Sequence, residues 1–164
     1  MTTIRRYRPE DALATRKVFV DAVRIGAAGR YSEAERADWV PDPALPEGWS
    51  DWLAGHVTVV ADEDGQVTGF FMLEADGYLN MAFVRPDRMG KGLADRLYTA
   101  LLDEARAIGL TRLNVLASRY AQGFFRRHGW VAAPDFAHAG LDERQGPGDN
   151  PLNRPMKLDP VPEP

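Results

Sequence analysis

Hydrophobic and polar positions along this chain follow two different repeats, and the change from one repeat to the other marks the predicted elements. Apolar residues first recur every three to four positions after residues 9–11, and this pattern runs to about Arg24. The spacing predicts an amphipathic helix whose acidic start lies at the positive end of the helix dipole. The apolar stripe consists of Leu13, Phe19, Val20 and Val23.

The helical repeat is clearest in residues 93–108, and Gly109 follows where a helix-ending glycine belongs. This segment predicts the longest helix of the chain. Its apolar stripe consists of Leu93, Leu97, Leu101, Ala105 and Ile108. Shorter helical patterns predict further helices in residues 32–39, 49–55 and 119–128.

Strands are predicted where short runs are rich in β-branched and aromatic residues. Turn sequences at residues 62–65 and 75–77 each contain a glycine and separate three such runs, which predicts an antiparallel meander. The predicted strands are residues 4–7, 57–61, 66–74, 78–84, 113–117, 130–132 and 153–158.

Strands and helices therefore alternate, with no internal repeat and no linker. The pattern predicts an α/β (α+β) fold in which a mixed, mostly antiparallel central sheet is flanked by helices on both faces. We expect one domain over residues 1–159 and a C-terminal tail, residues 160–164, that frays.

Composition narrows the classes of function. The chain has 164 residues, a formal net charge of -4 and no cysteine. An acidic chain without a general basic excess is not expected to bind nucleic acid. His56, His128 and His138 show no metal-ligand spacing, so no metal is expected. We find neither a signal peptide nor an apolar stretch long enough to span a membrane, so we expect a cytoplasmic protein.

The candidate chemistry lies in "RPDRMGKGLA", residues 85–94, between a predicted strand and the longest predicted helix. A glycine-containing loop at a helix start directs free backbone N–H groups and the helix dipole at an anion. A Walker nucleotide loop would need glycine at Arg85 and Ser or Thr at Gly92. A dinucleotide loop would need glycine at Asp95. The sequence fits neither of these loops.

The loop does resemble the acetyl-CoA loop of the GNAT superfamily of N-acetyltransferases. The matching residues are Met89-Gly90-Lys91-Gly92-Leu93-Ala94, after Val84-Arg85-Pro86. A second segment, "AQGFFRRHGWV" at residues 121–131, is similar to a later helix-to-strand motif of the family, and the likeness extends from Ile4 to Leu158. The chain departs from the family at Met89, usually Arg or Gln, at Phe125, often Tyr, and at Ser118, often Asn.

The resemblance implies that acetyl-CoA is the cosubstrate and lies with its pyrophosphate at the start of the longest helix. Backbone amides from Gly90 to Ala94 would hold the phosphates, with Arg88 and Lys91 adding charge. The pantetheine arm would pair with the backbone of Phe83 and Val84. The remaining cofactor-binding positions that the resemblance implies are Met89, Gly92, Leu93, Ser118 and Phe125.

The resemblance also implies direct attack of an amine on the thioester, without a covalent enzyme intermediate. Asn80 occupies the position where relatives often carry a carboxylate base, and Glu74 lies nearby on a hairpin where acids are usually only solvated. Tyr120 is the nearest tyrosine to the expected proton donor, although it also fits an ordinary half-buried aromatic.

The acceptor site of the family is built by the segment between the first helix and the second strand, here residues 26–56. Tyr31 and Trp39, with two further tryptophans, either line an acceptor pocket or form the core of two short helices. The expected function is acetyl transfer from acetyl-CoA to a primary amine of a small molecule or peptide. The alternative is a catalytically degenerate acyl-CoA-binding module, and a homodimer is compatible with the sequence.

Overall fold

The structure of the chain, a computed structural model, describes residues 1–137 and 153–164. His138 and most of the Gly/Pro/Asp-rich loop that precedes the last strand lie outside the described residues. The helices are α1 (Ala12–Arg24), α2 (Glu33–Trp39), α3 (Trp49–Ala54), α4 (Leu93–Ala107) and α5 (Gln122–Arg127), with 3₁₀ turns at Pro9–Asp11, Gly26–Gly29 and Pro86–Arg88. The strands are β1 (Thr2–Arg6), β2 (Val57–Glu63), β3 (Gln66–Leu73), β4 (Leu79–Val84), β5 (Leu113–Ala117), β6 (Val131–Ala132) and β7 (Arg154–Leu158).

The first four strands form an antiparallel sheet in the order β1-β2-β3-β4. The turn between β2 and β3 uses Asp64 and Gly65, both with positive φ, as the sequence pattern predicts. The other three strands form a second antiparallel sheet in the order β5-β7-β6. The predicted meander and the mostly antiparallel arrangement are confirmed.

The two sheets meet where β4 and β5 begin. Among the described residues one parallel bridge, between Tyr78 and Asn114, joins the two strands. Beside it the Asn114 N–H donates to the carbonyl of Gly77 at 2.9 Å. Gly77 has φ 92°, and a Cβ there would lie 2.5 Å from the Arg112 carbonyl oxygen. This close approach requires glycine, and beyond it β4 and β5 leave a gap in the centre of the fold.

Helices cover both faces, as predicted. On one face α4 buries its apolar stripe against β2, β3 and β4, and Leu97, Leu101 and Ala105 are fully inaccessible. On the other face α1 and α3 pack a second apolar cluster that includes Leu53 and Phe70. The two cores hold the sheet in place between them, which fixes the positions of the β4 and β5 backbones.

Three predicted details differ from the structure. Leu13 and Ile108 are 70% and 48% exposed because each lies at a helix end, where the predicted stripe runs past the packed core. Helix α5 is shorter than predicted because a turn that starts at Ser118 precedes it, with Ala121 and Gln122 N–H groups donating to the Ser118 carbonyl.

The C-terminal segment, which we expected to fray, makes two hydrogen bonds. Val161 N–H donates to the Thr111 carbonyl at 2.8 Å, and Arg106 donates to the Pro162 carbonyl at 2.8 Å. Val161 also packs against the core that α4 covers. Within the part of the chain that the structure describes, no helix has both the length and the apolar character that a bilayer crossing needs.

Candidate functional site

The loop between β4 and α4 leaves backbone groups free at the helix start. Gly90 and Gly92 have φ 71° and 80°, values that side-chain-bearing residues rarely adopt. A Cβ on either glycine would meet no atom within 4 Å, so both face open space. The Arg96 N–H donates to the Gly92 carbonyl and is the first to bond back within the helix. The amides before it are therefore available to an anion.

This open space belongs to a cleft of about 930 Å³. The end of β4, the glycine loop and the first turn of α4 form one wall, and α5 with the turn before it forms the other. The predicted cofactor-binding residues in these walls are Phe83, Val84, Arg88, Met89, Gly90, Gly92, Leu93, Ala94 and Phe125. Glycines that leave room for a ligand, free amides and a helix N-terminus fit a bound pyrophosphate.

The edge of β4 also faces the gap. Phe83 and Val84 pair with Phe70 and Gly69 of β3 on one side. Their other edge is directed toward β5, to which the bridge at Tyr78 connects β4 only at its beginning. A strand edge of this kind offers backbone groups to an extended ligand.

The arginines of the loop were expected to supply positive charge to the cofactor, but in the structure they are paired with carboxylates. Arg85 contacts Asp87 at 2.6 Å, and Arg88 contacts Glu63 at 2.8 Å and Asp87 at 2.6 Å. The hydrogen bond from Arg85 lowers the pKa of Asp87 to about 2, and that from Arg88 lowers the pKa of Glu63. Both arginines are therefore already neutralised by carboxylates.

Lys91 is exposed and does not line the cleft. The arginines that sequence reasoning missed, and that do line it, are Arg30, Arg119, Arg126 and Arg127. Arg126 and Arg127 are adjacent in the second motif segment, and their position there could have identified them. Nothing in the sequence around Arg30 indicates that it lines the cleft.

An acidic side chain also lies at the helix start. Asp95 accepts hydrogen bonds from His128 Nε2 at 2.7 Å and from Arg127 at 3.3 Å. Burial raises the pKa of Asp95, but these two partners outweigh it and the net pKa lies below the usual value. Arg127 therefore offsets the negative charge beside the glycine loop, and His128 adds a hydrogen bond to the same carboxylate.

A second, smaller cavity of about 280 Å³ lies along β4 and β5. Its described walls carry aromatic side chains on the side of α1, α2 and α3, and the polar side chains of Asn80, Ser118, Tyr120 and Asn153. Five residues line both the cleft and this cavity: Ala82, Phe83, Tyr120, Ala121 and Phe125. The two spaces therefore meet at one shared wall.

Tyr120 is the polar member of that shared wall. Its hydroxyl donates to the Met89 sulfur at 2.7 Å. Burial raises the pKa of Tyr120, and the positive charge of Arg30 opposes this in part. The phenol is therefore protonated at neutral pH.

Asn80 and Glu74 lie together, as the hairpin in the sequence suggests. The Asn80 amide donates to Glu74 Oε1 at 2.7 Å, and Asn80 lines the small cavity. Glu74 does not line it. Glu74 thus affects the cavity by holding the Asn80 amide. The oxygen of that amide can accept a hydrogen bond from a bound group.

The other predicted residues divide between cavity wall and framework. Trp39 lines the small cavity, and so does Ser118, which was expected at the cofactor. Tyr31 lines neither space: it is 3% exposed. Its hydroxyl accepts from the Arg119 N–H at 2.9 Å and donates to Asn153 at 3.1 Å. These contacts give Tyr31 a structural role, tying the segment after α1 to the turn before α5.

No group of three or more His, Asp or Glu side chains within residues 1–137 and 153–164 is arranged to hold a metal ion.

Comparison with known proteins gives one family. Residues 27–142 match the family model described as an acetyltransferase (GNAT) domain. A relative in Escherichia coli, the L-amino acid N-acyltransferase MnaT, is 32% identical over 117 residues, which are 65% of this chain and 64% of that protein.

Two solved structures resemble the fold over nearly their whole length. A GCN5-related N-acetyltransferase from Rhodopseudomonas palustris is 30% identical with a TM-score of 0.79, covering 97% of this chain and 96% of that one. A GNAT family acetyltransferase from Brucella melitensis in complex with acetyl-CoA is 26% identical with a TM-score of 0.60, covering 87% of this chain and 99% of that one.

Proposed function

This chain belongs to the GNAT family of acetyltransferases, and from that membership we propose that it transfers the acetyl group of acetyl-CoA to the primary amine of a small molecule. The observation that carries the proposal is the shared wall between the two cavities. A cleft suited to a phosphate-bearing donor and a pocket suited to an acceptor meet at Phe83 and Tyr120, where their reacting groups would come together.

The donor side rests on the glycine loop and on β4. The amides from Gly90 to Ala94 would hold the pyrophosphate, and the open edge at Phe83 and Val84 would pair with the pantetheine arm. Arg30 and Arg126 in the cleft wall supply positive charge that the ion-paired loop arginines do not. When bound, acetyl-CoA would supply a thioester: the amine nitrogen bonds to its carbonyl carbon and loses one N–H proton to water, the C–S bond breaks, and the sulfur leaves as the CoA thiol after gaining a proton.

Tyr120 provides that proton. The family often places a tyrosine at position 125, where this chain has Phe125, which is 1% exposed and has no proton to give. Tyr120 lines both cavities, and its raised pKa keeps the hydroxyl protonated. To act, the hydroxyl leaves the Met89 sulfur and turns to the departing sulfur of the donor.

Glu74 and Asn80 prepare the amine. An alkyl ammonium has a pKa near 10 and must lose a proton before it attacks. Asn80 has its amide fixed by Glu74 and its oxygen free to hold a water or the amine in the cavity. The amide itself carries no proton, so the proton would pass from that water to a second water at the Glu74 carboxylate. In this arrangement Asn80 positions the nucleophile and Glu74 serves as the base.

The proposal is tested by combining calorimetry with acetyl-CoA and a thiol-release assay over a panel of primary amines. We expect acetyl-CoA binding and release of CoA thiol that depends on the amine. Binding without release for every acceptor would contradict the enzyme mechanism and support the acyl-CoA-binding module. Absence of acetyl-CoA binding would contradict the assignment of the glycine loop.

A further inference from the structure

The small cavity is lined on one side by rings. Six aromatic residues of its wall come from α1, α2, α3, β4 and the residue before β4: Phe19, Trp39, Trp49, Trp52, Phe83 and Tyr78. Phe19 packs edge-on against Phe83 with ring centroids 4.8 Å apart and stacks on Trp49 at 5.9 Å. Trp39 packs edge-on against Phe83 at 6.1 Å. The rings hold one another, so the wall is in place before a ligand binds.

The cavity carries no formal charge in its described walls. None of the lining residues within residues 1–137 and 153–164 is acidic or basic. Arg16 lies over the rings of Phe19 and Trp49, at 5.3 and 5.1 Å from their centroids. Its guanidinium donates to the Asp42 and Ala44 carbonyls, so it is held by backbone oxygens of the segment before α3.

These walls discriminate between acceptors. An aryl or alkyl body gains by leaving water for a ring-lined pocket. A carboxylate placed there would lose its hydration without meeting a cationic side chain among the described lining residues of the cavity, which is costly. The volume of about 280 Å³ lies just below the usual range for small-molecule sites, roughly 300–1,000 Å³, so it suits a compact molecule.

We infer, building on the proposed function, that the acceptor is a compact primary amine with an aromatic or other apolar body and without a carboxylate beside the amine. Its ring lies among Trp39, Trp49 and Trp52, and its nitrogen points to the shared wall at Phe83 and Tyr120. The acceptor class therefore differs from the L-amino acids named for the Escherichia coli relative.

Matched acceptors test this inference. The thiol-release assay compares phenethylamine with L-phenylalanine, and tryptamine with L-tryptophan, at saturating acetyl-CoA. Each pair differs by a carboxylate alone. We expect kcat/KM to favour the amine by about tenfold or more, since an unpaired buried charge costs at least the 1.4 kcal/mol that corresponds to a factor of ten.

The variant Trp39→Ala tests the aromatic wall. We expect it to raise KM for phenethylamine several-fold, to change KM for butylamine less, and to leave the Kd of acetyl-CoA unchanged. An equal effect on both amines would contradict a ring-binding role for Trp39. A thermal unfolding curve for Trp39→Ala shows whether the variant is still folded. If it is, the higher KM is due to the lost contact with the acceptor.

The two proposals fail in different ways. Equal or better turnover of the amino acids would overturn the inference and leave the acetyltransferase mechanism standing. Acetyl-CoA binding without turnover of any acceptor would overturn the proposed mechanism, and the acceptor inference with it.

Discussion

The Tyr120 hydroxyl donates to the sulfur of Met89 at 2.7 Å, which joins the proposed proton donor to a position where this chain departs from the usual GNAT pattern. Met89 stands where the family usually carries Arg or Gln, and Tyr120 stands five residues before the usual tyrosine position. The Met89 side chain also covers Gly26, where a Cβ would collide with its terminal methyl. The thioether thus connects the end of α1, the glycine loop and the proposed proton donor.

Replacing Tyr120 with Phe removes the proposed acid and keeps the ring. General acid catalysis is typically worth about 10²–10⁴-fold, so we expect kcat to fall by about 100-fold or more while the Kd of acetyl-CoA stays constant. Tyr7→Phe is the matched control, because Tyr7 also loses a hydrogen-bonded hydroxyl, to Ser50 at 2.9 Å, but lines neither cavity. Wild-type turnover in Tyr120→Phe would leave Tyr120 a structural residue.

Replacing Met89 with Leu keeps the apolar volume and removes the sulfur acceptor. If backbone amides hold the pyrophosphate, we expect the Kd of CoA to change by less than about threefold, as for a volume-conserving substitution. Calorimetry with CoA measures this. A loss of affinity greater than tenfold would mean that the thioether itself contacts the cofactor.

Glu at position 92 would place bulk and negative charge where the pyrophosphate approaches. Gly92 and Gly109 lie at opposite ends of α4 with φ 80° and 79°, and a Cβ at either would meet no atom within 4 Å. Gly109→Glu is therefore a matched control for Gly92→Glu, because the two substitutions carry a similar backbone strain of about 1–2 kcal/mol. We expect Gly92→Glu to abolish CoA binding by calorimetry and Gly109→Glu to retain it. Equal affinities would contradict the loop assignment.

Gly77→Ala tests the contact that joins the two sheets. A Cβ at Gly77 would lie 2.5 Å from the Arg112 carbonyl, whereas a Cβ at Gly65, with similar φ, would meet nothing. We expect Gly65→Ala to lower the free energy of unfolding by about 1–2 kcal/mol through strain alone. Gly77→Ala should lower it by about 1–3 kcal/mol more, because the backbone must shift. Urea denaturation measures both, and equal losses would show that the contact relaxes freely.

Asp11 should make stability depend on pH. Burial raises the pKa of Asp11, but hydrogen bonds from the Arg5 guanidinium and the Arg8 amide outweigh it, and the net pKa lies below the ordinary value. Because the folded-state pKa is below the unfolded value near 3.9, Asp11 stabilises the fold above about pH 4 and loses this effect as the pH falls through its folded-state pKa.

We expect Asp11→Asn to lower the free energy of unfolding by about 1–3 kcal/mol at pH 7, with the difference from wild type shrinking below pH 4. The control is Asp64→Asn, whose carboxylate is 82% exposed and pairs with the N-terminal amine. An exposed pair contributes less than about 1 kcal/mol. If the difference in free energy of unfolding between Asp11→Asn and wild type did not change with pH, the charge of Asp11 would not be the source of the stabilisation.

The sequence predicted the glycine loop well because its determinants are local. A strand end, two glycines and a helix start within ten residues dictate the φ values and the free amides. The neighbourhood of Glu74 and Asn80 was also predictable, since a short hairpin turn lies between them.

The remaining features depend on contacts between distant segments. Arg88 lines the cleft as the sequence suggests, but its charge is paired with Glu63, 25 positions earlier, which the sequence does not show. Tyr31 looked like a pocket residue, but its hydroxyl binds the Arg119 amide, 88 positions later. The sequence shows which residues are charged or aromatic. Which residue each of them contacts depends on how the end of β2 lies against the glycine loop and on how the turn before α5 lies against the segment after α1.

The contact at Gly77 fixes the position of the start of β4 relative to β5. The strand leaves its junction with β5 at Tyr78 and reaches the shared wall at Phe83, a distance of roughly 17 Å at about 3.3 Å per residue. Because β3 pairs with β4 along its length, a change at this junction would turn the whole β1-β2-β3-β4 sheet relative to β5. Over that length a rotation of about 5° displaces the far end by about 1.5 Å, and misplacing reacting groups by about 1 Å can slow a reaction a hundredfold. The separation of the proposed donor and acceptor sites would therefore be set in part by a glycine that lines neither of them.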